Sequence, residues 1–80
     1  MLIEILGTGC ANCKRLAQIT GEVVNELGID ARIEHIEELE KIMTYPIMST
    51  PALVIDGVVK ASGRVPSKEE LHKWLQLLQE

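Results

Sequence analysis

Two cysteines separated by two residues, Cys10-Ala11-Asn12-Cys13, stand between an apolar run, Leu2-Ile3-Glu4-Ile5-Leu6, and the start of a helical pattern. They are the only cysteines in the chain. A strand has to end and a helix has to begin at this pair, which narrows the fold sharply. The first N–H groups of a helix lack partners, and the positive end of its macrodipole favours a thiolate over a thiol. Two thiols at this spacing can close a small disulfide ring and reopen it. The pair therefore reads as a redox centre, with Cys10 as the exposed nucleophile and Cys13, one turn into the helix, as the more shielded resolving thiol.

Other readings stand beside this one. A C-x-x-C can be half of a zinc site, but tetrahedral zinc wants four N or S ligands. His35 and His72 are the only histidines, and neither clusters with the cysteines in the sequence. The thiols can also be inert and buried. A purely structural staple is the weakest option, because so short a ring restricts the unfolded chain little.

Composition removes several classes of function. Eighty residues make one domain, spanning 1–80, with a core built from Leu, Ile and Val, since Phe is absent and Trp and Tyr occur once each. That scarcity of aromatics argues against stacking on single-stranded nucleic acid. A formal charge of −4 likewise disfavours nucleic acid and anionic membrane as partners. Met1 leads directly into the first strand with no basic region before it, and no apolar stretch approaches the roughly 20 residues that span a bilayer. The expected location is the cytoplasm, where cysteines at this spacing are more often catalytic or metal-binding than structural. No cofactor is expected.

The rest of the chain alternates strand and helix signals. Leu16, Ile19, Val23, Val24 and Leu27 recur at helical spacing, and Gly28 stands where a helix ends. Gly21 inside that helix costs about 1 kcal/mol against Ala, which suggests close packing around it. Ala31 to Ile36 is a more polar strand, suited to a sheet edge. Glu37 to Met43 offers Leu39, Ile42 and Met43 for one face of a short helix. Ala52-Leu53-Val54-Ile55, Asp56-Gly57 and Val58-Val59-Lys60-Ala61 form a hairpin with a type I′ turn, since both central residues need positive φ. Ser67 and Glu70 make an S-x-x-E capping box, opening a last helix with Leu71, Trp74, Leu75 and Leu78 on its buried stripe. The order is β-α-β-α-β-β-α. A right-handed β-α-β start makes the first two strands parallel, and the hairpin adds two antiparallel ones. An α/β protein follows, with one mixed four-stranded sheet between helical layers.

Thr50-Pro51 directly precedes the hairpin. On local sequence alone a trans proline at a strand start is the expected form. With the first strand and the C-x-x-C at the head of the first helix, however, this segment resembles the thioredoxin-like superfamily. Gly7-Thr8-Gly9-Cys10-x-x-Cys13-Lys14, Met48-Ser49-Thr50-Pro51-Ala52-Leu53-Val54-Ile55-Asp56-Gly57 and Gly63-Arg64-Val65-Pro66-Ser67 are similar to the small glutaredoxin-like thioredoxins, or redox-active disulfide proteins, of archaea and bacteria. The resemblance implies a thioredoxin-like fold, a cis Pro51 facing the disulfide, and substrate backbone binding at Thr50 and Pro51. The chain departs from ordinary thioredoxins in carrying Gly9 in place of Trp before the first cysteine and Ala11-Asn12 between the two. It also has Ser62-Gly63-Arg64-Val65-Pro66 where glutaredoxins carry an acidic glutathione-holding motif, so glutathione is not implied.

The expectation is a thiol–disulfide oxidoreductase that exchanges the Cys10–Cys13 disulfide with protein substrates, is re-reduced by a disulfide reductase and works as a monomer. The alternative is a carrier of Cu(I) or Zn(II) on the same two thiols, or a redox sensor without turnover. Carriers of ferredoxin-like topology run β-α-β-β-α-β and end on a strand, whereas this chain ends on a capped helix. Lys14 and Arg15 either assist the thiolate or form a solvated face. Arg64 reads first as a surface residue and second as an aid to an anionic substrate. Met48 reads as the lining of an apolar substrate groove, with core filling as the other option.

Overall fold

Every predicted element is present, most within a residue of its expected ends. The computed structural model describes residues 1–47 and 49–79. In chain order the elements are β1 (Leu2–Leu6), α1 (Ala11–Leu27), β2 (Arg32–Ile36), α2 (Leu39–Ile42), β3 (Ala52–Ile55), β4 (Val58–Ser62) and α3 (Lys68–Gln79). The strands form one sheet in the order β2-β1-β3-β4. β2 lies parallel to β1, while β3 is antiparallel to both β1 and β4. The most apolar strands, β1 and β3, are central, and the charged β2 lies at an edge, as its polarity required.

Strand alternation divides the core in two. Ile3 and Ile5 of β1 and Leu53 and Ile55 of β3 face α1 and α3, where they pack with Leu16, Val23, Leu71 and Leu75. On the other face Leu6, Ala52 and Val54 meet Ile42, with Ile36, Tyr45, Ile47 and Val59 around them. Glu4 belongs to this second face and accepts a hydrogen bond from the Tyr45 hydroxyl. The carboxylate beside it raises the Tyr45 phenol to about 12.

The helix ends follow from local chemistry. α1 stops where Gly28 adopts φ 63°, its N–H reaching Asn25 O while Ile29 N–H reaches Val24 O at 3.3 Å. That pair of bonds satisfies carbonyls that the helix leaves open. At the head of α3, Glu70 N–H donates to Ser67 Oγ at 3.2 Å and Ser67 N–H donates to Glu70 Oε1 at 3.3 Å. The hairpin turns through Asp56 at φ 47° and Gly57 at φ 83°. Asp56 also accepts from Leu2 N–H through its carboxylate at 2.7 Å and donates its own N–H to Leu2 O, tying the turn to β1. A bulge leaves Lys60 without an opposite residue, because Leu53 pairs with Ala61 and Val54 with Val59.

Two expectations need correction. α2 buries only Ile42, while Leu39 is 62 % and Met43 74 % exposed. A single turn of four residues is too short to lay an apolar face across a sheet. Apart from its chain neighbours and its own helix backbone, nothing lies within 4 Å of the place where a Cβ on Gly21 would stand, so no close packing accounts for it. Met48 lies outside the described residues, as does the side chain of Leu78.

Candidate active site

Cys10 is itself the N-cap of α1, extended at φ −68°, ψ 166°. Cys13 is the third helical residue, and its N–H donates to Cys10 Sγ at 3.2 Å. A cap and the third residue of a helix face each other across one turn, so their side chains meet without distortion of the backbone. The two sulfurs are joined as a disulfide, with the Cα atoms 5.0 Å apart. Exposure separates the two thiols as expected, with Cys10 open to solvent and Cys13 5 % exposed. The first turn of α1 carries no acidic side chain to compete for its amides.

Gly7 gives Cys13 its seat. It follows β1, is buried, and extends the parallel ladder by donating its N–H to Ile36 O at 3.0 Å. A Cβ at this position would collide with Cys13 Sγ. In the sequence Gly7 is legible only as a strand terminator, yet its missing side chain is what lets the sulfur lie against the backbone. A glycine closing a buried strand just before a C-x-x-C is the signal that was available.

The Thr50–Pro51 peptide is cis, with Pro51 buried and Thr50 exposed. Leu6 pairs with Ala52, so one further step along the ladder brings Pro51 opposite Gly7, on which Cys13 Sγ rests. The disulfide and the proline thus share one end of the sheet. Pro51 O accepts from Gly63 N–H at 2.9 Å, which links the proline turn to the end of β4. On its outer side Thr50 borders a groove of about 240 Å³ with Ile42, Met43 and Ile47.

The charged residues divide between structural and solvent roles. Arg64 makes a two-pronged pair with the Glu70 carboxylate, at 3.0 and 3.2 Å, and lies 6.0 Å from the Trp74 ring centre. Arg64 holds the Glu70 carboxyl below the usual carboxylate range, helped by Ser67 N–H. This arginine is therefore engaged at the head of α3. His72 contacts Glu26 at 3.0 Å, and Glu26 also pairs with Lys68 at 2.9 Å, so α1 and α3 are joined by this network. Lys68 first and His72 second hold Glu26 below its ordinary range. Lys14 and Arg15 are exposed beside the cysteines. Among the described residues no group of three or more His, Cys, Asp or Glu side chains is arranged to hold a metal ion. No helix among them is long and apolar enough to cross a membrane.

Residues 1–76 match the family model described as "Thioredoxin domain". A protein named thioredoxin from Methanothermobacter thermautotrophicus is 49 % identical over 75 residues, covering 94 % of this chain and 97 % of that protein. A thioredoxin from Methanocaldococcus jannaschii is 34 % identical over 76 residues, covering 95 % of this chain and 87 % of that protein. A second thioredoxin from the same organism is 37 % identical over 65 residues, covering 78 % of this chain and 75 % of that protein.

Proposed function

The chain belongs to the thioredoxin domain family and is a thiol–disulfide oxidoreductase, and from that premise we propose how its residues divide the work. The Cys10 thiolate attacks a sulfur of a protein disulfide, forming a mixed disulfide and releasing the first substrate thiolate. Cys13, as thiolate, then attacks Cys10 Sγ. The Cys10–Cys13 bond forms, the bond to substrate breaks, and the second substrate thiolate leaves and takes up a proton. Two electrons have passed from the dithiol to the substrate.

What carries this assignment is the contrast between the exposed Cys10 cap and the shielded Cys13 one turn later. Thr50 and Pro51 hold the incoming chain in extended form, supported by their place at the same sheet end as the sulfurs. The protein acts as one thioredoxin-like domain, as a monomer in the cytoplasm, and a disulfide reductase restores its dithiol. The metal-carrier reading finds no support beside a matched family and relatives that are thioredoxins.

An insulin-reduction assay tests the assignment. Cys10→Ser is expected to abolish turnover and form no mixed disulfide. Cys13→Ser is expected to accumulate a mixed disulfide through Cys10. The reverse pattern, with adducts forming at Cys13 alone, would reject the division of roles.

A further inference from the structure

One stripe of α1 carries three charges, and two of them are answered from α3. Asn12, Arg15, Ile19, Glu22 and Glu26 follow one another at steps of three or four residues, so they share one side of the helix. Toward the end of α1, Lys68 Nζ stands 3.6 Å from Glu22 and 2.9 Å from Glu26, and His72 contacts Glu26 at 3.0 Å. Arg15, nearest the disulfide, is exposed, and no carboxylate among the described residues pairs with it.

Arg15 borders a groove of about 660 Å³ between α1 and the loop that leads into α3. Ile19, Val65 and Pro66 give the groove apolar walls, and Asn12, which stands between the two cysteines, brings it up to the reactive pair. Lys68 and Glu70 also border it, but both are engaged, Lys68 by Glu22 and Glu26 and Glu70 by the two-pronged Arg64 pair. Arg15 is therefore the uncommitted charge of this groove. Lys14, the other cation beside the cysteines, borders instead the hollow that Cys13 shares with His35 and Glu37.

This placement runs against the charge of the whole chain, which is formally −4. An acidic molecule repels an acidic partner over most of its surface. A single free cation beside the sulfurs then favours the one approach that brings the partner's negative group to it. A guanidinium presents a planar fork that matches a carboxylate, and apolar walls beside it offer burial to a neighbouring side chain.

We propose that this groove docks an acidic segment of the protein whose disulfide is exchanged. A carboxylate of that segment pairs with Arg15, and an adjacent apolar side chain lies against Ile19, Val65 and Pro66. The proposal rests on the Cys10–Cys13 exchange described above and adds to it a choice among protein substrates.

The experiment uses synthetic peptides, each closed by one disulfide and identical except for the pair of residues flanking the cysteines: Glu-Leu, Lys-Leu or Glu-Ser. Initial rates of reduction by the reduced protein are compared as ratios. All peptides meet the same thiolate, so a ratio cancels any change that Arg15 makes to its reactivity. In the unaltered protein the Glu-Leu peptide should react about three to ten times faster than the Lys-Leu peptide at low ionic strength, and salt should erase the difference. Net charge alone would favour the Lys-Leu peptide. Arg15→Gln should bring the ratio near one, and Arg15→Glu should invert it. Lys73→Glu makes the same change in net charge at an exposed site on α3 outside the groove, and should keep the preference for Glu-Leu. The Glu-Ser peptide should react about two to three times more slowly than Glu-Leu, reporting the apolar walls.

Equal rates for the Glu-Leu and Lys-Leu peptides in the unaltered protein overturn the proposal. So does a preference that survives Arg15→Glu, or one that Lys73→Glu removes equally. A Glu-Ser peptide as fast as Glu-Leu overturns the apolar contact. An unaltered protein that reduces neither the peptides nor a small neutral disulfide would reject the Cys10 exchange itself, whereas reduction without preference rejects the docking site alone.

Discussion

Helices α1 and α3 open on the same four-residue geometry with different chemistry. In α1 the cap and third residue are Cys10 and Cys13, and in α3 they are Ser67 and Glu70. In each, the third residue's N–H donates to the cap side chain at 3.2 Å. In α3 the two side chains then complete a capping box, and Glu69 and Glu70 place negative charge against the helix dipole. In α1 the two side chains are sulfurs that bond to each other, and no carboxylate lies in the first turn. One helix start holds the chain together. The other leaves its amides and its positive end to a sulfur that can carry negative charge.

Four substitutions probe this comparison, and the largest effect is expected where α1 rests on β1. Gly7→Ala places a methyl against Cys13 Sγ and should destabilise the fold by about 1–3 kcal/mol, as overpacking does. Denaturant unfolding measures it, and unaltered stability would show that the sulfur does not need that glycine.

Breaking the α3 start should cost about as much as a lost cap, about 1 kcal/mol for Ser67→Ala, with disulfide reduction unchanged. A matching pH effect belongs to Glu70. Its carboxyl is held low in the folded state by Arg64 first and Ser67 N–H second. As pH falls, the unfolded chain therefore binds a proton before the folded one does. The stabilisation is complete above the ordinary carboxylate range and is lost as pH drops through it. Glu70→Gln should make stability less dependent on pH on the acid side. An unchanged acid slope in that variant would assign the dependence to other carboxylates.

The smallest change converts α1 toward the α3 pattern. Asn12→Asp adds a first-turn carboxylate, which should raise helix stability by about 0.3–1 kcal/mol. The same charge opposes a thiolate at Cys10, so its attack at neutral pH should slow about threefold to tenfold. A variant that gains stability and keeps its full rate of attack would show that the open first turn does not serve the sulfur.

The opposite outcomes for Asp56 and Leu39 show how far local sequence reaches. Asp56-Gly57 could be read because the turn needs only two positive φ values, which those residues tolerate, whatever surrounds them. Leu39, Ile42 and Met43 have equally clear helical spacing, but their burial depends on how much sheet remains uncovered, and only Ile42 reaches it. Gly21 fails in the same way. Its conformational cost is local, while the neighbours that would account for it are not.

The amino-acid order was enough for the strand and helix sequence, both helix starts, the αL end of α1 and the division of the cysteines into outer and inner thiols. Each depends on residues within a turn or two of one another, through backbone φ/ψ preference, capping and side-chain period. Tertiary structure alone decided that Cys13 lies on the bare backbone of Gly7, that Pro51 reaches the same sheet end, and that His35 borders the same hollow as Cys13. These depend on strand order and register, which arise when β1 is clasped between β2 and β3, and no short-range preference encodes that pairing.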